Sequence, residues 1–194
     1  MSNQSQLTKL NSEMSQCTKC ALRAGCQRVV FGSGNPEAEI MLIGEAPGKK
    51  EDELGIPFMG STGRILDKML EGIKIKREDV YLSNICKCRP PENRDPLPAE
   101  ITRCAPWLEE QIKIIKPKII VTLGRFALNY FLPEAKISQV HGEITELKIP
   151  KIGNQKLFPL HHPAAARINR KTRAIFTEDF QKIPSVLKQI KKEQ

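Results

Sequence analysis

Residues 40–48 read Ile-Met-Leu-Ile-Gly-Glu-Ala-Pro-Gly, and this stretch decides the fold of the chain. The apolar run Ile40–Ile43 has no polar alternation, which is typical of a strand that is buried on both faces of a parallel sheet. The segment Gly44–Gly48 follows with two glycines and a proline, the composition of a loop at the carboxyl end of such a strand. Ligands bind beyond the carboxyl ends of parallel strands, so this loop is the first candidate for a functional site.

The same alternation of strand and helix continues along the chain. Further strands are predicted at Val80–Ile85, Ile119–Leu123, Ile144–Ile149 and Lys156–Leu160. Helical spacing of apolar residues predicts helices at Thr62–Ile73, Ala99–Ile115, Arg125–Phe131 and Phe176–Ile190. This order of elements predicts an α/β sandwich around a mainly parallel sheet. The loops at its carboxyl edge are then Gly44–Gly60, Asn84–Pro96, Gly124–Arg125 and His161–Arg173.

Length and composition predict one domain over residues 1–194, since 40% of the residues are hydrophobic. The formal charge of +9 favours a polyanionic partner such as DNA or RNA, although ribosomal and membrane-surface proteins share this property. Residues 1–9 lack the apolar run of a secretory signal, and no stretch approaches the roughly 20 apolar residues of a membrane span. We therefore expect a cytoplasmic protein whose six cysteines are ligands or buried thiols rather than disulfides.

Four of the cysteines form two pairs. Cys17 and Cys20 are separated by two residues, and Cys88 and Cys104 by fifteen. Two thiolate pairs can make a tetrahedral site for zinc or for an iron-sulfur cluster, and spacing alone leans slightly towards zinc. The alternative is that some of these residues are ordinary buried cysteines.

The segment from Cys17 to Gly34 shows no sustained periodicity, so we expect an irregular conformation that is held by something other than a core, such as a metal. Two cysteines are left over by the pairing, Cys26 and Cys86. Cys86 falls near the end of a predicted strand, where a small buried side chain is the expected role.

Several polar or aromatic side chains fall at the predicted carboxyl edge of the sheet. Glu45 lies in the first loop, Phe58 lies between turn residues, and Asn84 ends a strand. An amide offers one donor and one acceptor to a single planar ring, and an aromatic side chain can stack on that ring. His161 and His162 follow the last strand, and one of them suits a hydrogen-bond donor better than a metal ligand. Each residue also has an ordinary alternative: a solvated acid, a core ring or a capping amide.

Basic residues flank these loops. Those around Asn84 are Lys87, Arg89 and Arg94, and those behind the two histidines are Arg167, Arg170, Lys171 and Arg173. Such clusters suit the phosphate backbone of DNA. The basic tail after Val186 is better explained as the solvated face of a helix.

Six landmarks occur in a fixed order between Cys17 and Ala164. They are Cys-x2-Cys (17–20), Gly-Glu-Ala-Pro-Gly (44–48), Gly-x-Pro-Phe-x-Gly (55–60), Asn-x3-Cys-Arg-Pro-Pro (84–91), Cys104 and His-Pro-Ala (162–164). The ordered set closely resembles the family 4 uracil-DNA glycosylases, the iron-sulfur type, over nearly the whole chain. The resemblance implies a three-layer sandwich with a central, mainly parallel four-stranded sheet. It also implies a monofunctional enzyme that flips uracil out of single- or double-stranded DNA and hydrolyses the N-glycosidic bond, which leaves an abasic site for base excision repair.

The cofactor implied by the resemblance is a 4Fe-4S cluster held by Cys17, Cys20, Cys88 and Cys104, and this replaces the lean towards zinc. We expect its role to be structural, because four protein ligands leave no iron open to a substrate. The cluster would pin residues 1–34 to the loop after Asn84.

The pocket implied by the resemblance holds one uracil. Phe58 would stack on the base, Asn84 would pair with its N3-H and O4, and the backbone of Gly44–Ala46 would line the wall and exclude the methyl group of thymine. Cytosine presents the opposite hydrogen-bonding pattern and would be rejected. The catalytic residues would be His162, which donates to uracil O2, and Glu45, which positions the attacking water.

Expected partners follow from the same resemblance. DNA is the substrate, a monomer is the expected state, and a sliding clamp is a candidate partner, although no clamp-binding peptide stands out in the sequence. Extrusion of a base costs least where pairing is weak, so we expect a preference for single strands and U·G mismatches over U·A pairs.

The sequence departs from the family at two places. Ser61-Thr62 stand where the family commonly has a pair such as Arg-Ala, and Ala165–Arg167 replace a stretch that usually carries a wedging Leu. Arg167 or Ile168 is the candidate to fill the vacated stack. Glu45 argues against the thymine-tolerant family 5, which lacks this acid, and Ala46 against a relative that bonds covalently to DNA and has Gln there.

Two other classes of function compete with this interpretation. A basic, metal-pinned module that binds nucleic acid without cutting it would explain the charge and the cysteines. It would leave Glu45, Phe58, Asn84 and His162 at one sheet edge as coincidence. An iron-sulfur electron carrier is a more distant alternative.

Overall fold

The computed structural model describes residues 1–193. Its strands are β1 (Ser33–Gly34), β2 (Ile40–Gly44), β3 (Tyr81–Asn84), β4 (Ile119–Leu123), β5 (Thr145–Ile149) and β6 (Gly153–Leu160). Its helices are α1 (Asn3–Ser15), α2 (Leu22–Gly25), α3 (Lys49–Leu54), α4 (Ser61–Gly72), α5 (Pro98–Ile115), α6 (Arg125–Phe131), α7 (Ile137–Val140), α8 (Pro163–Ile168), α9 (Arg170–Gln181) and α10 (Ile183–Lys192). No helix within these residues is long and apolar enough to cross a membrane.

The strands form one mixed sheet in the order β1-β3-β2-β4-β6-β5. The four central strands β3, β2, β4 and β6 are parallel, which confirms the mainly parallel sheet. The expected number of four strands is corrected to six, because β1 and β5 add one antiparallel strand at each edge. The strand β5 alternates between half-buried and exposed residues, as an edge strand with one solvated face does.

Apolar cores lie on both faces of the sheet, which explains the unbroken apolar runs. In β2, Met41 and Ile43 pack with α1 and α5 on one face. The alternate residues Ile40 and Leu42 pack with α4, α9 and α10 on the other. The molecule is therefore the expected sandwich of helices, sheet and helices.

The structure differs from the sequence prediction at one helix and at one loop. The segment Phe176–Ile190 contains a break at Lys182 between α9 and α10, because Pro184 has no N–H to continue the ladder of α9. The predicted loop His161–Arg173 is largely helical, since α8 begins directly after His162 and α9 begins at Arg170. The second correction places the start of α8 directly at His162.

The N-terminal segment has more structure than its composition indicates. The helix α1 buries Leu7, Leu10 and Met14 in the core that also contains α5. The short helix α2 interrupts the segment that was predicted to be irregular. Beyond it, the backbone N–H groups of Gln27 and Arg28 donate to the buried Asp52 carboxylate at 2.9 and 3.5 Å.

Candidate functional site

A pocket of about 170 Å³ lies at the carboxyl ends of β2, β3 and β6. Its lining residues are Glu45, Ala46, Pro47, Gly48, Glu51, Phe58, Thr62, Asn84, Pro90, Asn93, Arg94 and His162. The structure thus brings together the predicted acid, ring, amide and second imidazole. The volume is below the roughly 300–1,000 Å³ of a drug-sized site, so the pocket suits one small planar ligand.

Gly44 lies where the ring and the amide meet. A Cβ at this position would lie 2.5 Å from Oδ1 of Asn84 and 2.7 Å from Cζ of Phe58. Only glycine therefore lets both side chains approach the end of β2. The register pairs Gly44 with Asn84 on adjacent parallel strands, which is why two residues forty positions apart share one wall.

The amide of Asn84 is buried, with 4% of the residue exposed, and it faces the pocket. Within residues 1–193 no hydrogen bond occupies its side-chain amide, so one donor and one acceptor are available to a ligand. The strand ends are held by backbone hydrogen bonds from Ile85 N to Gly44 O and from Cys86 N to Glu45 O, both 2.9 Å. Asn84 thus presents a donor and an acceptor to the pocket from a fixed position, an arrangement that could bind one edge of a planar ring.

Burial is the main cause that raises the pKa of Glu45 to about 7. The negative charge of Asp95 adds to this rise, and the positive charge of Arg125 opposes it. Asp95 and Arg125 form an exposed ion pair of 2.6 Å near the pocket. A carboxylate with a pKa near the operating pH is suited to hold and polarise a water molecule.

His162 is the N-cap of α8, and its Nδ1 accepts a hydrogen bond from the backbone N–H of Ala164 at 3.2 Å. Burial lowers the pKa of His162 to about 4, so the imidazole is neutral at physiological pH. With Nδ1 occupied as an acceptor, the ring proton lies on Nε2, which can donate to a ligand. A Cβ at Gly124 would lie 2.9 Å from Cβ of His162, so a glycine there gives the histidine its room.

His161 has different surroundings, which resolves the choice between the adjacent histidines. Its ring lies 4.9 Å from that of His141, and Nδ1 of His141 lies 2.6 Å from Oδ2 of the buried Asp179. His161 does not line the pocket, whereas His162 does. Of the two adjacent histidines, only His162 is therefore placed to contact a ligand in the pocket.

Glu51 is a pocket residue that the sequence analysis missed. Its carboxylate accepts hydrogen bonds from the backbone N–H groups of Met59 (2.8 Å), Gly60 (2.7 Å) and Gly48 (3.1 Å). It thereby fastens the loop of Phe58 to the loop of Glu45, and Phe58 itself has a left-handed φ of 56°. Gly48-x-x-Glu51 is a helix-capping pattern that could have indicated this position in the sequence.

Lys87 was expected to contact DNA phosphates near Asn84. The structure shows instead that its side chain is fully buried. Its Nζ donates to Ser83 Oγ (2.5 Å), to the backbone oxygen of Asn84 (2.8 Å) and to Gln111 Oε1 (2.7 Å). With three donors and three acceptors, the ammonium is fully satisfied inside the protein. Lys87 therefore braces the backbone of Asn84 and has no path to DNA.

The six cysteines all carry free thiols and lie on one side of the sheet. Cys17 Sγ accepts a hydrogen bond from Trp107 Nε1 and Cys104 Sγ one from the backbone N–H of Lys87, both at 3.3 Å. The two residues left over by the sequence pattern are also in this group, since the thiol of Cys26 contacts Cys88 and that of Cys86 contacts Cys104.

The chemistry of these sulfurs fits a thiolate-ligated group. The contact with Cys86 is the main cause that lowers the pKa of Cys104 to about 7, and the charge of Lys87 acts in the same direction. N–H donors to sulfur are a feature of iron-sulfur sites. The pKa of Cys20 is raised instead, mainly by burial, and that of Cys88 is raised mainly by its contact with Cys26. Within residues 1–193 no three His, Cys, Asp or Glu side chains are placed so that they could hold a single metal ion.

The predicted DNA-backbone residues lie in two places. Arg94 is engaged by Glu100 through two hydrogen bonds of 2.9 and 2.7 Å, and Nε of Arg89 donates to Asn93 Oδ1 at 2.8 Å. The others are exposed on α8 and α9: Arg167, Arg170 and Lys171. The two wedge candidates, Arg167 and Ile168, are at the end of α8, and Ile168 is 81% exposed.

Comparison with known proteins gives concordant results. The family described as the uracil DNA glycosylase superfamily matches residues 31–187. Relatives named type-4 uracil-DNA glycosylase include those of Sulfurisphaera tokodaii (44% identical, over 91% of this chain and 83% of the relative) and Archaeoglobus fulgidus (42%, over 88% of each). A third, from Thermotoga maritima, is 40% identical over 97% of this chain and 98% of its own length.

Proposed function

The chain belongs to the uracil DNA glycosylase superfamily, and from this premise we propose that it excises uracil from DNA as a monofunctional type-4 enzyme. The single observation that carries the proposal is the convergence of Glu45, Phe58, Asn84 and His162 on one small pocket. A module that only binds nucleic acid would not require a buried acid and a neutral imidazole donor in the same pocket.

Recognition of the flipped base is assigned to the ring and the amide. Phe58 covers one face of uracil, while Asn84 accepts from N3-H and donates to O4. Cytosine has an acceptor at N3 and a donor at C4, so both polar atoms of Asn84 would lose their partners. A buried donor or acceptor without a partner costs about 1–3 kcal/mol, which is the source of the discrimination. The backbone of Gly44–Ala46 forms the wall that a 5-methyl group would strike.

Hydrolysis breaks the bond between C1′ of deoxyribose and N1 of uracil, while a water oxygen bonds to C1′. Positive charge develops on the sugar and negative charge on the departing base, mainly at O2 and N1. The Glu45 carboxylate orients the water and stabilises the cationic sugar, while Nε2–H of His162 donates to O2. The water proton passes to solvent or to the departing base, and an abasic site remains.

A 4Fe-4S cluster is the cofactor that we propose for Cys17, Cys20, Cys88 and Cys104. The support is the family membership and the N–H donors to two of these sulfurs. When bound, the cluster supplies a structural link between the N-terminal segment and the loop after Asn84. The catalytic groups all lie outside the cysteine group, so the protein's own side chains carry the reaction.

The proposed setting follows from the relatives, which come from archaea and bacteria. DNA is the proposed partner, a monomer the proposed state, and the prokaryotic cytoplasm the proposed location. A sliding clamp is retained as a prediction for a protein partner.

The activity is tested with an oligonucleotide that contains one uracil, followed by alkali to cleave abasic sites. We expect strand breaks from the wild-type protein, none with cytosine or thymine at the same position, and none from Glu45→Gln. Strand breaks without alkali would contradict a monofunctional enzyme. Retained binding of uracil-containing DNA without any release of uracil would favour the binding module.

The cofactor is tested on the purified protein by iron and sulfide analysis and by visible absorbance. Cys104→Ser should remove the absorbance and the iron, whereas Cys86→Ala should retain both, because Cys86 is outside the proposed ligand set. Equal loss in the two variants, or stoichiometric zinc without iron, would overturn the assignment.

A further inference from the structure

A second groove, of about 490 Å³, lies between α4 and the pair α8–α9. Its lining residues are Ser61, Arg64, Ile65, Lys68, Met69, Ala166, Arg167, Arg173, Phe176 and Thr177. It is larger than the uracil pocket, and none of its residues lines that pocket, although Arg167 is also a predicted DNA contact.

The charge of the groove has one sign. Four of the lining residues are cationic and none is acidic: Arg64 and Lys68 on α4, Arg167 on α8, and Arg173 on α9. The nearby acid on α4, Asp67, is paired with Arg77 at 2.7 Å. Within residues 1–193, Arg64, Lys68 and Arg167 make no ion pair, so their charges are available to an anion.

The floor of the groove is apolar. Half-buried Ile65 and Met69 from α4 lie opposite Ala166 and Phe176, which belong to the core of this face. A cationic groove that follows the phosphate backbone is the electrostatic part of a site for a single nucleic-acid strand, and an apolar floor can contact its sugars or bases.

The groove lies next to the uracil pocket, since Ser61 lines the groove and Thr62 lines the pocket. Its first wall, α4, starts directly after Gly60 in the loop of Phe58, and its second, α8, starts directly after His162. Side chains of the two walls meet where Nη1 of Arg167, in the last turn of α8, lies 3.5 Å from Oγ of Ser61, in the first turn of α4. A strand that places one base in the pocket would therefore pass into the groove with its next nucleotides.

We infer that this groove binds the single-stranded segment on one side of the flipped uracil. Arg64, Lys68 and Arg167 contact its phosphates, and Ile65 and Met69 support its sugars or bases. Arg173 has a positioning role, because its guanidinium donates to the backbone oxygens of Ala166 (2.9 Å) and Arg167 (3.1 Å) and so holds α8 against α9. The inference rests on the proposed function and adds to it the path of the substrate strand.

The test compares Arg64→Gln/Lys68→Gln with the matched control Lys148→Gln/Lys151→Gln. The control removes the same charge from exposed positions on β5 and its turn, at the opposite edge of the sheet from the pocket. Three single-stranded substrates carry the uracil centrally, at the 5′ end or at the 3′ end. kcat and KM are measured for each at several salt concentrations.

We expect the groove variant to raise KM for the central substrate and for only one of the two end substrates. The salt dependence of log KM should become less steep by about 0.7 for each phosphate that the variant no longer neutralises, which at 0.15 M salt corresponds to about a tenfold rise in KM for two such phosphates. The control should resemble the wild type. Equal effects on both end substrates, or effects no larger than those of the control, would overturn the inference.

Failure of the proposed function gives a different result. If the wild-type protein releases no uracil from any substrate, the groove is tested by fluorescence anisotropy with a uracil-free oligothymidylate. Weaker binding by the groove variant than by the control would then support the groove alone, and equal binding would exclude single-stranded DNA as its occupant.

Discussion

A Cβ at position 63 would lie 1.7 Å from the backbone oxygen of Phe58, so the loop that carries the stacking ring can rest on α4 only because residue 63 is glycine. Phe58 also has a left-handed φ of 56°, a conformation that is uncommon for a residue with a side chain. The ring is therefore held in place by its backbone contacts rather than by local preference.

Replacement Gly63→Ala should displace Phe58 and lower uracil excision. The overlap is with backbone, so relief requires a shift of the loop, at a cost of about 1–3 kcal/mol of stability. We expect kcat/KM to fall by about a hundredfold, because displacement of a positioning group by about 1 Å has that effect. Gly72→Ala, at the other end of α4, is the control: its Cβ meets nothing within 4 Å, so unchanged activity is expected.

Glu51→Gln should loosen the same loop from the other side. The carboxylate accepts three backbone N–H groups, whereas an amide has a single acceptor oxygen and would point its own N–H₂ at a donor. We expect a loss of about 1–3 kcal/mol in the free energy of unfolding together with a fall in kcat. Asp52→Asn, which disturbs the N-terminal segment instead, should cost stability with a smaller effect on kcat. Equal kcat losses would show that Glu51 acts only through stability.

The pH dependence of kcat/KM should have one acid limb, centred near pH 7. Activity requires the carboxylate of Glu45, whose pKa is raised to about 7, so the active fraction increases as the pH rises through that value. The imidazole of His162, with its pKa lowered to about 4, stays neutral over this range and adds no limb. Asp95→Asn should move the midpoint down and Arg125→Gln should move it up. If neither variant moves the midpoint, the acid limb does not arise from ionisation of Glu45.

His162→Ala should reduce kcat by about 10²–10³-fold, the usual cost of one donor to a developing oxyanion. The matched control is His161→Ala, because that ring contacts His141 rather than the pocket. Single-turnover rates on a single-stranded substrate measure both variants. A comparable loss in His161→Ala would mean that the donor has been assigned to the wrong histidine.

The sequence by itself predicted the sheet and the positions of the main site residues. Apolar runs such as Ile40–Ile43 are strongly informative because a strand covered on both faces has no polar alternation. Glu45, Asn84 and His162 could be predicted as neighbours because each lies at or just beyond the carboxyl end of a strand, and the carboxyl ends of parallel strands share one edge.

Other features depended on contacts that have no local pattern. Lys87 looks like a surface cation in the sequence, yet packing buries it against Ser83 and Gln111. His161 and His162 are adjacent, and only the start of α8 turns one into the pocket and the other towards His141.

The sequence therefore determined which residues end the strands, since periodicity and burial are local properties of the chain. The tertiary structure alone decided which of the neighbouring side chains face the pocket and which hold the pocket's loops in place. It also decided how α4, α8 and α9 form a cationic groove. The physical reason is that these relationships join residues as far apart as Ser61 and Arg167, whose contact depends on how the helices pack against the sheet.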